Sequence, residues 1–277
     1  MFLFSTCYGP RNIFSSGPYI SPVKLGIDES ALETFYISNS TKSYCVDSTK
    51  RRQNKGVGLS LTHRFKGNNQ FNYYISTQKE KLSLHDPYHI LTNADFDNSF
   101  ISTSRFTTGI GFTQFINRKK KFFSSATSIS GMIAFQNTHI NDTGDIQQNL
   151  YTRNFNINNL FLSIQFASLL HVSYRFKIGI MSRFTLAHYF SLKTNYSEDE
   201  LKGTALNKVD KTQFYPSLAG LHLEYKPVKE LPISIIGQLY CDWSYWHLFS
   251  QRSKRTYING TGLSLGLKYQ VKFHKYN

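Results

Sequence analysis

His222 and Glu224 fall on one parity of a single alternating segment, Phe214–Tyr225. A histidine and a carboxylate beside a serine are the parts of a hydrolytic triad: the imidazole takes the hydroxyl proton and the carboxylate orients the ring. Ser217 and Ser264 are the serines that strand pairing would have to bring to them. The simpler reading of the same residues is the polar lining of a filled interior. The chain has no GxSxG elbow. It also lacks an HExxH pair, a phosphate-binding loop and a dinucleotide fingerprint. A non-enzymatic role therefore leads, with a lipid-modifying hydrolase as the alternative. Asn141, Asp142 and Asp145 offer oxygen atoms of the kind calcium takes, but their spacing matches no defined cage and reads as a turn. No metal and no cofactor is expected.

The three cysteines are Cys7, Cys45 and Cys241, with no CxxC pair to hold zinc. Cys45 and Cys241 are candidates for a disulfide in an oxidising compartment, against two unlinked thiols. The nine histidines are scattered singly, and His63 and His188 read as interfacial residues rather than catalysts.

The segment that positions these groups best is Arg175–Leu192, RFKIGIMSRFTLAHYFSL. One parity carries Phe176, Ile178, Ile180, Phe184, Leu186 and Phe190. The other carries Lys177, Gly179, Met181, Arg183, Thr185, Ala187 and Tyr189. Period two predicts a β-strand with one apolar and one polar or small face. A membrane-crossing strand needs about 9–11 residues, and this segment is long enough. Similar alternation recurs in Ser30–Ser38, Gly56–Phe65, Phe71–Ile75, Arg105–Phe115, Phe122–Phe135, Ile157–Phe166, Phe214–Tyr225, Pro232–Trp243 and Leu263–Phe273. Turns are expected at Lys66-Gly67-Asn68-Asn69, Asn117-Arg118-Lys119-Lys120 and Lys226–Glu230, and a short link at Ala167–Tyr174. Longer loops are expected at residues 79–99, around Asn141–Asp145, over Lys193–Lys211 and before Thr256.

Long and short connections thus alternate along the chain. Outer-membrane barrels combine an even strand number with short periplasmic turns and longer outside loops. The expected fold is all-β: an antiparallel transmembrane β-barrel of about ten strands, within a range of eight to twelve. It occupies residues 28–277, and residues 1–27 form a signal remnant and an extended tether. The 16% aromatic content suits interfacial girdles, and a mean hydropathy of -0.36 suits alternation. In a barrel this narrow, side chains fill the lumen. Arg183, His222, Glu224 and Lys268 are the candidate lumen residues, with Lys177, Lys272 and Glu33 near them. A diffusion pore is disfavoured.

The net charge is +15. In a soluble protein this would point to nucleic acid, but no nucleic-acid motif accompanies it, and no nucleic-acid partner is expected. The basic residues cluster in apparent loops and turns. Lys50, Arg51, Arg52, Lys55, Arg252, Lys254 and Arg255 are candidates for contact with outer-membrane lipid, through lipopolysaccharide phosphates. An unidentified envelope protein is a further candidate partner. A soluble, basic β-rich binding module remains the second alternative.

Met1–Thr6 looks like the tail of a secretory signal. Phe4-Ser5-Thr6-Cys7 resembles a loose lipobox, in which Phe4 and Thr6 depart from the usual leucine and small residue. Cys7-Tyr8-Gly9-Pro10-Arg11-Asn12-Ile13-Phe14-Ser15 resembles the start of mature small outer-membrane β-barrel lipoproteins of Bacteroidetes-type bacteria. Phe176–Arg183 (FKIGIMSR) and Phe214–Leu221 (FYPSLAGL) resemble the same group. The likeness covers most of the chain in layout and only these patches in letters. It implies an outer-membrane location, acylation at Cys7 and a periplasmic tether, and it carries no assigned activity.

Overall fold

Alternation of apolar and polar residues makes one face of every strand greasy, and a closed wall is the arrangement that leaves no unpaired edge. The computed structural model describes residues 20–45, 48–65, 67–85, 96–118, 125–146, 149–195, 212–244 and 257–272. They form ten strands: β1 (Glu29–Cys45), β2 (Ser48–Arg64), β3 (Asn69–His85), β4 (Phe96–Arg118), β5 (Ser125–Ile146), β6 (Asn149–His171), β7 (Phe176–Thr194), β8 (Thr212–Tyr225), β9 (Ile233–Ser244) and β10 (Tyr257–Lys272). Each pairs antiparallel with its sequence neighbours. β10 pairs with β1, from Glu29 opposite Lys272 to Ser40 opposite Thr261, and closes the barrel.

The apolar parity faces outward. On β7, Ile180, Leu186 and Phe190 are exposed, while Gly179, Met181, Arg183, Thr185 and Ala187 are buried. The same division holds on β4, where Phe106, Ile110, Phe112 and Ile116 are exposed and Arg105, Thr107, Thr113 and Phe115 are buried. A soluble barrel has the opposite polarity. With about 3.3 Å per residue and a strand tilt near 40°, the stretch Phe106–Ile116 gives a belt about 25 Å tall. That is the height of the apolar band of membrane barrels.

The strands are longer than their periodicity suggests. Residues 79–85, expected in a loop, belong to β3, and Lys79–His85 pair with Asn98–Ser104 of β4. Asn141–Asp145, expected as a turn, is strand β5 paired with Leu150–Asn154. β6 runs on to His171, so its link to β7 is only residues 172–175; Val172 N and Ser173 N there donate to Phe176 O. In the first two the outward parity turns polar above the belt (Lys79, Lys81; Asn141, Thr143), so the apolar period stops. In the third, Leu169 and Leu170 are apolar on the inner and outer face alike, so no period marks the strand. The expected alternation of loop lengths is corrected accordingly. β1–β2 and β5–β6 are joined by residues 46–47 and 147–148 alone, and the polar chain between belts forms projecting hairpins.

Side chains fill the interior. An apolar cluster of Met132, Ala134, Ile140, Phe155, Ile157, Phe161, Ala187 and Tyr189 lines the β5–β7 wall from within. Polar residues occupy the remainder, joined in cross-strand pairs such as Thr62–Asn72 (3.1 Å), Asn72–Thr113 (2.9 Å), Thr113–Ser130 (2.8 Å) and Ser163–Thr185 (2.7 Å).

Candidate functional site

At the end of the barrel where every connection is short (residues 65–68, 119–124, 172–175 and 226–232), register brings four charged residues from β7, β8, β10 and β1 together. Lys177 lies opposite Glu224, and Lys268 lies opposite Glu33. Glu224 is the hub. Its Oε1 accepts from Lys177 Nζ at 2.8 Å and its Oε2 from Lys268 Nζ at 3.1 Å. Lys268 Nζ also lies 3.8 Å from Glu33 Oε1, an ion pair longer than a hydrogen bond. The two acids and two ammonium groups balance, as buried charges must when water is excluded. Arg183, His222, Glu224 and Lys268, the expected lumen residues, are all buried inside the barrel. Lys272 instead ends β10 exposed at the rim.

Among the described residues these contacts do not assemble the hydrolytic constellation with Ser264. Both oxygens of Glu224 are taken by ammonium groups. His222 Nδ1 lies 3.4 Å from Gln238 Nε2, and His222 Nε2 has no hydrogen-bond partner among the described residues. Ser264 stands opposite Gln238, which stands opposite His222. Two strand spacings, about 10 Å, therefore separate the serine from the imidazole. The side chain of Ser217 lies outside the described residues.

Residues 20–27 do not hang free as a tether. They enter the lumen at the short-link end, where the chain reverses at Gly26–Glu29. Glu29 N donates to Gly26 O at 3.2 Å, and Asp28 adopts φ 58°, in the left-handed region that aspartate tolerates. Glu29 Oε2 accepts from Gly26 N at 2.6 Å. Gln70 on β3 accepts from Leu25 N at 2.7 Å and donates to Val23 O at 3.3 Å. Gln165 on β6 accepts from Ile20 N at 2.9 Å and donates to Ile20 O at 2.8 Å. Arg64 donates to Leu25 O, and Lys24 Nζ donates to Asn68 Oδ1 at 2.8 Å. Burial, and then the neighbouring Arg64 guanidinium, hold the Lys24 ammonium below its ordinary pKa. Glycines on the wall make room for this segment. A Cβ at Gly111 would stand 3.1 Å from Ile20 Cδ1, and one at Gly179 would stand 3.3 Å from Pro22 Cγ. Residues 1–19, with Cys7, lie outside the described residues.

Above the plug, Arg105 NH2 reaches Glu80 Oε2 at 3.2 Å. A cavity of about 20 Å³ remains among Ile20, Glu33, Ser60, Asn72, Tyr74 and Ser264. That volume holds roughly one water molecule. A lumen so filled is a polar core with an apolar sector.

The basic candidates are divided. Lys50, Arg51, Arg52 and Lys55 are strand residues of β2 rather than loop residues; Arg51 pairs with Lys42 and Lys55 with Ser38. Arg252, Lys254 and Arg255 lie outside the described residues. For Cys45 and Cys241 the register is informative. Cys241 stands opposite Thr261, Thr261 opposite Ser40, and Cys45 is further along β1. Two strand spacings and that axial offset place the Cα atoms about 19 Å apart, whereas a disulfide spans about 4.4–6.8 Å. That separation favours two unlinked thiols over the candidate disulfide.

Periodicity missed Lys79 and Lys81. Read linearly, Lys79-Glu80-Lys81 is a self-neutralising run in a loop. The pleat sends Glu80 inward to Arg105 and leaves both lysines exposed outside, with Lys79 directly opposite Lys55.

No known family profile matches the chain, and no curated protein matches it. Among solved structures, the translocator domain of the autotransporter NalP from Neisseria meningitidis is similar at 8% identity and a TM-score of 0.46, over 87% of each chain. The transport unit of the autotransporter AIDA-I from Escherichia coli shows 8% identity and a TM-score of 0.39, over 91% of this chain and 93% of its own. The toluene transporter TodX from Pseudomonas putida shows 6% identity and a TM-score of 0.32, over 88% of this chain and 89% of its own.

Proposed function

We propose that this chain is an integral barrel of a bacterial outer membrane, closed to solutes by its own lumen, with a structural or interaction role and no catalytic one. The carrying observation is the reversed polarity of the wall: a belt of exposed Ile, Leu, Phe and Tyr surrounds a lumen filled by buried polar side chains and one apolar sector. Water penalises that belt, whereas a bilayer core of matching height accepts it. The short-link end, where residues 20–27 enter, faces the periplasm in this reading, and the polar hairpins project outside. Cys7 is then the acylation site that holds the N-terminus at the inner leaflet. An extended chain over residues 8–19 reaches at most about 40 Å, enough to join such an anchor to Ile20. Lipopolysaccharide is the lipid partner, and Lys50, Arg51, Arg52 and Lys55 lie on β2 in the β1–β2 hairpin, one of those that project outside.

The test is detergent-extracted protein run on a gel with and without boiling, together with reconstitution into vesicles. A heat-dependent mobility shift and carbonate-resistant vesicle association are expected. Recovery of folded protein in the soluble fraction without detergent contradicts the reading. Mass analysis of the mature N-terminus decides acylation separately.

A further inference from the structure

The outer wall carries a charge arrangement that the barrel itself does not neutralise. Lys55 on β2 and Lys79 on β3 are directly opposite partners in the register, and both are exposed. Directly opposed side chains have Cβ atoms about 4.5–5.5 Å apart, and like charges there repel. Lys81 stands two residues above Lys79 on the same face, about 7 Å away, and is also exposed. Among the described residues no carboxylate stands beside them. Glu80 is turned into the lumen against Arg105. The neighbours across β3–β4 are Ser104, opposite Lys79, and Ser102, opposite Lys81. Both serines are half-buried on the outer face. Three ammonium groups and two hydroxyls therefore converge on one patch without a counter-charge.

The position of the patch selects the counter-charge. Beneath it on the same strands lie Val57, opposite Thr77, and then Ile75 and Tyr73, part of the apolar belt. A ligand that offers an anion to the lysines while covering these residues has a phosphate at the top and hydrocarbon below. We infer that Lys55, Lys79 and Lys81, with Ser102 and Ser104, bind the phosphorylated headgroup of an outer-leaflet lipid whose acyl chains lie on Val57, Tyr73 and Ile75. This rests on the outer-membrane reading above. It differs from general attraction of basic loops to a negative surface, because it fixes one stoichiometric site on the wall.

The test uses the full chain in detergent, followed by native mass spectrometry with bisphosphorylated lipid A, dephosphorylated lipid A and inorganic phosphate as probes. The variants are Lys55→Gln/Lys79→Gln/Lys81→Gln and the same three positions changed to Arg. Each lysine near a headgroup contributes roughly fivefold in binding. The Gln variant is expected to retain bisphosphorylated lipid A more than about tenfold less well. The Arg variant retains it, and the wild type binds the dephosphorylated lipid poorly. Equal retention by wild type and Gln variant overturns the site. Inorganic phosphate binding as tightly as the lipid overturns the lipid assignment. Both variants keep the heat-dependent gel shift. A wild type without that shift fails the barrel reading itself, and the lipid site fails with it.

Discussion

Gln165 holds Ile20 at both ends of one residue, its Oε1 accepting from Ile20 N at 2.9 Å and its Nε2 donating to Ile20 O at 2.8 Å. A side-chain amide here does what a neighbouring strand does in a sheet. Gln70 grips Val23 and Leu25 in the same manner from β3, three strands away around the wall. The plug is thus held by wall side chains that supply it with backbone partners, satisfying donors and acceptors removed from water.

Gln165→Ala should loosen the plug and leave the wall folded. Two hydrogen bonds go and one buried N–H loses its partner, a local cost of about 1–3 kcal/mol. Hydrogen exchange at Ile20 should quicken by roughly tenfold or more, while the unfolding midpoint of the barrel barely moves. Unchanged exchange at Ile20 would show that the amide grip does not hold the plug.

Removing residues 1–27 should not make a channel. Above the plug the lumen is still filled by Phe155, Phe161, Ile157 and Tyr189 and by the Arg105–Glu80 pair. Planar-bilayer recordings should show the truncated and full chains equally silent. Stable ion conductance from the truncated form would mean that the plug, rather than the packed lumen, is the barrier.

Glu224→Gln should be among the most damaging single changes. It leaves Lys177 and Lys268 inside the barrel with Glu33 as the nearby carboxylate, 3.8 Å from Lys268. Breaking a buried ion pair from one side costs about 3–5 kcal/mol. Denaturant titration in detergent measures it. Adding Lys268→Met to Glu224→Gln should recover part of the loss, and a double variant weaker than the single one would refute the shared-anion account.

Two glycines separate a crowded site from an open one. A Cβ at Gly266 would clash with Thr34 O and lie 2.9 Å from Phe35 Cα across the β10–β1 seam, whereas one at Gly131 meets nothing within 4 Å among the described residues. Gly266→Ala should therefore impair closure, read as loss of the heat-dependent gel shift and gain of protease sensitivity. Gly131→Ala should behave as wild type. Equal behaviour of the two would show that the seam tolerates displacement.

β7 was readable from its residues alone: the parity Lys177 to Tyr189 faces inward, and Ile180, Leu186 and Phe190 face outward. A belt against hydrocarbon and a packed lumen enforce strict period two, so all ten strands leave that mark where they cross the belt. Residues 79–85 and 141–145 leave none, because the outward parity there is polar (Lys79, Lys81; Asn141, Thr143) and no hydrocarbon enforces an apolar face. The lumen charges were legible as inward positions, but their pairing was not, since Lys177–Glu224–Lys268–Glu33 joins four strands and only register brings them together. The plug was opaque for a different reason. Residues 20–27 owe their place to Gln70 and Gln165 on distant strands, and nothing in their own spacing announces it.

The seam between β1 and β10 joins the first strand of the wall to the last, and Lys268 reaches across it to Glu33. Before β10 docks, both groups are hydrated and neither has cause to leave water. Docking strips that water and brings them together in one event. The Lys268–Glu33 link is therefore a latch that exists only in the finished ring: it adds nothing to a half-built sheet, and it raises the barrier to reopening at the single place where a barrel made from one chain can come undone.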